Sequence, residues 1–359
     1  MKERLSASRV SVKGYPELIE MFEERGWGDG LPIVPATASL VESFVLASGR
    51  QPAEVIGYVP PAWGEATVEK IAINAAIAGC LPAFMPVVLA AVEAVLEPSF
   101  NLLGIQATTH SCAPLVLISG PVAESLKVNS GTGAFGPGHR ANATIGRSLR
   151  LVLLNLGGGR PGVMDMSTQG NPAKYTYCIA ENEAATPWTL HRVARGFGVV
   201  DSTVTVAALE SPHSINDHGS TNASDLLQTI AAVMATPSNQ LYLMGTEPFL
   251  FLCPEHAADL HRGGLDLTGI QDDLFERARV SVDRVGRGQL ERLRRYHQSI
   301  ERYQELNLDD PLLAALPLVT TAKDLNVVVV GGHGRLSSYA PSIGAVGRAV
   351  TRRVQLSAS

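Results

Sequence analysis

The chain has 359 residues, 45% of them apolar and 18% charged, which is enough to bury a large core in one big domain or two lobes. Its formal net charge of −5 supplies no electrostatic basis for nucleic acid or an anionic membrane surface as partner. The 34 glycines and 22 prolines are dispersed between apolar runs, which excludes a low-complexity chain and points to tight turns and shaped loops.

Residues 16–25 read as a short amphipathic helix, followed by turn chemistry at Gly26-Trp27-Gly28-Asp29-Gly30-Leu31-Pro32. Residues 37–48 read as a second helix. Thr67 suits the N-cap of a third, apolar all round, and Pro82 the first turn of a fourth ending near Glu97 and Pro98. Residues 71–92 carry no charge and are about long enough to cross a bilayer. Asn74, Gly79, Pro82 and Pro86 interrupt them, so two buried helices meeting at residues 79–82 are expected instead of a membrane span.

Residues 102–108 and 115–119 read as strands around a polar tip at Thr109-His110-Ser111-Cys112. Residues 129–139 read as a loop, and a helix over 141–156 is stopped by Gly157-Gly158-Gly159. A strand is expected at 199–208, a helix at 223–234, a buried strand at 249–252 entering a helix at Pro254, a charged helix at 291–306 and a strand at 325–330. Strands that hand over to glycine turns and helices favour an α/β or α+β fold, a mixed sheet with helices on its faces. The expected division is an N-terminal lobe over 1–190 and a C-terminal α/β lobe over 191–359; no linker marks the boundary, and a single domain is the alternative.

Cys80, Cys112, Cys178 and Cys253 stand far apart without a CxxC pair, which argues against a disulfide scaffold or zinc ribbon and fits a reducing, cytoplasmic compartment. Residues 1–12 show no apolar core of a signal peptide.

Chemistry concentrates in residues 106–147. Gly131-Thr132-Gly133-Ala134-Phe135-Gly136 matches GxGxxG formally, but no apolar strand precedes it and no acidic residue stands about 20 positions on, so a dinucleotide turn is rejected. What survives is an anion site: Asn129, Gly131, Gly133, His139, Arg140 and Asn142 lie before or at a helix start, with Arg147 and Arg150 on the next turns. In Thr108-Thr109-His110-Ser111-Cys112, two hydroxyls, an imidazole and a thiol share one turn, and His110 can support a Cys112 thiolate. Cys80, at the elbow before Pro82, faces the positive end of the next helix, which would lower its pKa.

Further candidates lie outside this stretch. Cys253-Pro254-Glu255-His256 repeats the strand-to-helix geometry, and His333 in Gly331-Gly332-His333-Gly334 follows a strand where it can serve as acid or base. Lys174 and Glu181 are the better acid–base candidates in a polar cluster that also holds Asn171, Tyr175, Asn182 and Glu183. His213, Asn216, Asp217 and His218 match no stereotyped metal spacing, and no metal site is assigned. The eight arginines of residues 277–302 alternate with acids and read as a solvated face or subunit contact.

Gly28-Asp29-Gly30-Leu31-Pro32-Ile33-Val34-Pro35, Ala78-Gly79-Cys80-Leu81-Pro82, Pro86-Val87-Val88-Leu89-Ala90-Ala91 and Ala141-Asn142-Ala143-Thr144-Ile145-Gly146-Arg147 resemble a bacterial family with no established activity. That family is associated with proteins bearing a selenocysteine- or cysteine-Gly-Ser-Cys motif (UGSC-type), and the resemblance covers most of residues 26–190. It implies thiol or selenol chemistry, redox included. The nearest equivalent of the motif here, Thr109-His110-Ser111-Cys112, lacks its leading cysteine and glycine, which argues against a two-thiol centre.

The reading that follows is an enzyme for a small anionic substrate, using Cys80 or Cys112 as thiolate with His110, His139 or His333 managing protons, and with no cofactor assigned. The alternatives are a non-catalytic subunit of a heteromeric enzyme and a metal-dependent hydrolase or hydratase. A homo-oligomer or a partner subunit is compatible with each.

Overall fold

In the computed structural model, which describes residues 5–237, 247–297, 315–343 and 347–356, helices begin where the sequence supplies caps. Helix α1 (Tyr15–Arg25) stops at Gly26, whose φ of 59° is left-handed. Thr37 and Thr67 accept the amides of Leu40 and Lys70 at the starts of α2 (Ala38–Ser48) and α3 (Val68–Ala78). Helix α3 and its successor α4 (Met85–Val95) are almost wholly buried and separated by the break at residues 79–84. Among the described residues no single helix is long and apolar enough to cross a membrane.

One expected strand is a helix. Residues 102–108 begin with α5 (Leu102–Gln106), because Asn101 adopts a left-handed φ of 54° and its side chain accepts the Gly104 amide. A short apolar run fits strand or helix equally by pattern, and here the cap decides. The expected strand at 199–208 starts later, at Thr203, after a turn that leaves Val199 and Val200 exposed. The charged helix expected at 291–306 starts earlier, at Arg287; it is described to His297, and the remainder lies outside the described residues.

The fold is α/β, with mixed sheets and helices around them. The chain forms two compact units, residues 1–181, 192–208 and 349–359 in the first and 182–191 and 209–348 in the second. It therefore crosses between units four times, not once near residue 190.

In the first unit, β1 (Val55–Val59) and β2 (Gly64–Thr67) form a hairpin. A four-stranded sheet orders the C-terminal strand Val350–Arg353, then β5 (Thr203–Leu209), β3 (Ala113–Ser119) and β4 (Cys178–Ala180), with β3 and β4 parallel. After the short α6 (Pro121–Ser125), the long α7 (Arg140–Asn155) packs on α3 and β4. Its end is pinned by close approach: a Cβ on Gly64 would collide with the Leu156 carbonyl, so only glycine fits there.

In the second unit, β7 (Phe249–Leu252) lies between β8 (Asn326–Val329), parallel to it, and β9 (Leu336–Ala340), antiparallel, with β6 (His213–Asn216) beyond. The core of this unit joins Leu226, Ile230, Leu250, Leu252, Leu260 and Leu274 to Tyr339.

Buried Asp217 closes the turn after β6 by accepting the Gly219 and Ser220 amides (3.1 and 2.8 Å) and the Ser220 hydroxyl (2.7 Å). Burial alone would raise this carboxyl, but the hydrogen bonds outweigh it and hold the pKa at about 2, against an ordinary 3.8. The depressed carboxyl contributes stability that is complete above pH 3.8 and is lost as pH falls towards 2, about 2 kcal/mol in all. Urea unfolding of Asp217→Asn between pH 5 and 2 is expected to show that much less acid destabilisation than the parent chain.

Candidate functional site

Spacing on α7 builds one wall of a cavity. Gly146, Leu149, Arg150 and Leu153 stand at i, i+3, i+4 and i+7 and so share a face. Gln106 from the end of α5, Cys112 at the entry to β3, and Asp165, Lys174 and Tyr177 from the connection to β4 bring the polar and ring groups, and Ile105, Pro114 and Ala173 complete the lining. The cavity volume is about 20 Å3, room for roughly one water-sized group. Two ties hold the connection against the turn before β3: the Thr168 amide donates to the Thr109 carbonyl (2.9 Å), and Asn171 Nδ2 donates to the Ser111 carbonyl.

The electrostatics turn on Asp165. Lys174 Nζ lies 2.8 and 2.7 Å from its two oxygens, Arg150 Nη2 donates to Oδ2 at 3.1 Å, and the Ser167 amide donates to Oδ1 at 3.1 Å. Burial would raise this carboxyl, but Lys174, Ser167 and Arg150 hold it below the ordinary value. Burial lowers the Arg150 pKa, with Asp165 opposing. Two cations against one carboxylate leave a net positive charge. The Nε and Nη1 groups of Arg150 make no hydrogen bond among the described residues, Nη2 being shared with the Gly159 carbonyl at 3.3 Å.

Gln106 adds an acceptor. Its Nε2 donates to the Pro60 carbonyl at 2.7 Å, which fixes the orientation of the amide, and its buried Oε1 has no hydrogen-bond partner among the described residues. The Gly157–Gly159 turn leaves room for this side chain, since a Cβ on Gly159 would collide with Oε1.

Of the residues expected from sequence, Cys112 and Lys174 meet in this cavity. Gln106 and Asp165 stand outside the expected set, whereas Arg150, expected with Arg147 to extend the field of the anion site, instead faces this cavity, on the α7 face of Gly146 and Leu153. Thr108, Thr109 and His110 form the adjoining turn, in which Thr108 Oγ1 accepts the His110 amide at 3.0 Å, but they are not part of the lining. Buried Glu181 follows β4 and accepts the Ser119 hydroxyl at 3.0 Å.

The glycine loop and helix start stand outside the cavity lining, and several of their polar groups are engaged. Asn142 Oδ1 accepts the Asn129 amide (2.8 Å), and its Nδ2 donates to the carbonyls of Asn129 (2.9 Å), Cys178 (3.2 Å) and Ala134 (3.4 Å). Asn129 in turn accepts the Gly131 amide and donates to the Thr132 carbonyl, and Gly133 turns at a φ of 72°. Arg147 is not an open anion receptor: it grips Asp29 through Nε (2.7 Å) and Nη2 (2.8 Å). Arg140 donates to the Gly79 carbonyl at 2.9 Å, while the His139 side chain caps nothing.

Cys80 corrects the expectation of a helix-activated thiol. Burial pushes its pKa up to about 11, and Sγ donates to the Thr144 carbonyl at 3.2 Å. Desolvation outweighs the helix start because the sulfur is sealed from water. Burial raises Cys178 and Cys253 as well.

In the second unit His333 is 85% exposed, its Nδ1 3.3 Å from Glu255 Oε1. His256 is instead a buried tie: Nε2 donates to the Asp217 carbonyl (3.0 Å), so Nδ1 accepts from Ser337 Oγ (2.7 Å). Among the described residues, no three or more His, Cys, Asp or Glu side chains are grouped to hold a metal ion. No protein-family model matches the chain, and no curated protein is significantly similar to it.

Proposed function

We propose that the protein is a thiol-dependent enzyme for a small anionic substrate, with Cys112 as the reacting thiol. The observation that carries this reading is that Cys112 lines one cavity with Arg150, Asp165 and Lys174, whose summed charge is positive. Cations beside a thiol favour its nucleophilic thiolate form, and the same charge attracts an anion. Arg150 would receive the anionic group on Nε and Nη1. Gln106 Oε1 would accept a hydrogen bond from a substrate hydroxyl or a water. Lys174, held by both oxygens of Asp165, would be a second cationic donor in the same cavity. Nucleophilic and redox versions of the chemistry use the same thiol.

The test compares alkylation of the folded chain by neutral iodoacetamide and anionic iodoacetate, located by peptide mass spectrometry. Cys112 is as buried as the other three thiols, and only the two cations of its cavity set it apart; on that account it is expected to react before Cys80, Cys178 and Cys253. Its iodoacetate-to-iodoacetamide rate ratio should exceed that of a simple thiol by about tenfold. Arg150→Gln should abolish that preference while circular dichroism stays unchanged. Labelling of Cys80 first, or no anion preference at Cys112, overturns the proposal.

A further inference from the structure

We infer that a second binding site, for a small organic cation with an apolar body, lies between α1 and the segment that follows it. Its walls come from one short stretch of chain. Tyr15, Ile19 and Phe22 stand at i, i+4 and i+7 on α1, and Leu31, Pro32 and Ile33 line the pocket from the returning segment. The pocket volume is about 520 Å3, within the roughly 300–1,000 Å3 of small-molecule sites. It shares no lining residue with the Cys112 cavity, so the inference stands apart from the proposed function.

Hydrogen bonds explain why this space exists. Gly26, left-handed at the end of α1, turns the chain back, and the Tyr15 hydroxyl donates to the Ile33 carbonyl at 3.1 Å to close the far end. Between these points the segment is held from the other side. Arg147 grips the Asp29 carboxylate and donates from Nη2 to the Leu31 carbonyl at 3.3 Å, and Arg160 donates to the Gly26 carbonyl. Asp29 also accepts the Leu31 amide at 3.2 Å. These ties fix the segment to α7 and the turn after it, not to α1. Gly28 and Gly30, both in the lining, bring no side chain to fill what is left.

The lining selects a cation. Its only charged side chain is Glu23, which has no hydrogen bond or ion pair among the described residues. Neighbouring Arg25 is engaged elsewhere, its guanidinium over the Trp27 ring at 4.7 Å from the centroid. Exposed Glu20 and Glu24 add charge of the same sign as Glu23. Tyr15 and Phe22 bring aromatic rings to the lining, and aromatic rings attract cations. The other lining side chains are apolar and suit the body of a ligand whose charge is met by one carboxylate.

The experiment is calorimetric titration of the intact chain with 2-phenylethylamine, 2-phenylethanol and 3-phenylpropanoate, which share an apolar body and differ in charge. Three proteins are compared: the parent, Glu23→Gln and Leu31→Ser. Both substituted residues are exposed, so neither change touches the core. The amine is expected to bind about fivefold more tightly than the alcohol, and the carboxylate more weakly than either. Glu23→Gln should remove the advantage of the amine and leave the Kd of the alcohol unchanged. Leu31→Ser should weaken amine and alcohol alike, by about fivefold. Equal binding of the three compounds, or an amine advantage that survives Glu23→Gln, overturns the assignment of a cation. Absence of saturable binding overturns the site, as does self-association of the chain that Leu31→Ser abolishes and the amine does not displace.

Discussion

Asp165→Asn is expected to lower the unfolding free energy by about 3 kcal/mol at neutral pH. The carboxylate accepts from Lys174 and Arg150, whose side chains are only 14% and 12% exposed. An asparagine keeps the shape but offers one acceptor oxygen and turns an NH2 group towards one of the two cations. Both cations would then be held out of water without a counter-charge, and an uncompensated buried charge costs more than the intact pair contributes. Urea unfolding at pH 7 measures the loss. Adding Lys174→Met should recover part of it, because the groups are coupled and their effects do not sum. The difference should also close in acid. A carboxyl held below its ordinary value contributes fully above pH 3.8, and its contribution disappears as pH falls through the folded value. An Asp165→Asn chain as stable as the parent at pH 7 would remove the charge argument for the cavity.

The fold was legible where one residue type settles a backbone choice. Thr67 capped the helix it was expected to cap, the helix expected from residue 37 begins there with Thr37 as its cap, and the glycines expected to stop α7 follow its end. It was illegible at residues 102–106, where Leu102, Leu103 and Ile105 satisfy strand and helix patterns alike and the Asn101 cap decides. The four crossings between units leave no trace of composition, since residues 182–191 are unlike a linker and the C-terminal strand returns to the first sheet only by long-range pairing.

The candidate site shows the same limit. Cys112 and Lys174 were each recognisable by chemical type, but what joins them is a set of hydrogen bonds across about 60 residues, from Asn171 to Ser111 and from Thr168 to Thr109. Asp165 sits in an apolar turn, where its local sequence announces a loop tip and not a buried counter-ion. Polar residues beside glycines also look identical whether they bind a ligand or hold the loop. Asn142 and Asn129 read as ligands and turn out to bond the backbone, because a loop without regular pairing needs side chains to satisfy its amides and carbonyls.

Asn142→Asp tests that distinction, with an expected cost of about 3–5 kcal/mol at neutral pH. The side chain is buried, and one end accepts the Asn129 amide while the other faces the carbonyls of Asn129, Ala134 and Cys178. In the variant, a carboxylate oxygen replaces the NH2 group and meets three carbonyl oxygens with no proton between them. Protonating the acid restores one donor, so folding raises its pKa above the unfolded value of about 3.9. Stability of the variant is therefore greatest below that pH and is lost as pH rises through the folded pKa, opposite in sign to Asp165 and Asp217. Asn142→Ala lacks the charge and should show no such slope, losing about 2 kcal/mol through unmet hydrogen bonds. Denaturant midpoints of both variants between pH 4 and 8 decide the matter. If Asn142→Asp is no less stable than Asn142→Ala at pH 7, the amide is not what holds the loop, and its donors are available to a ligand.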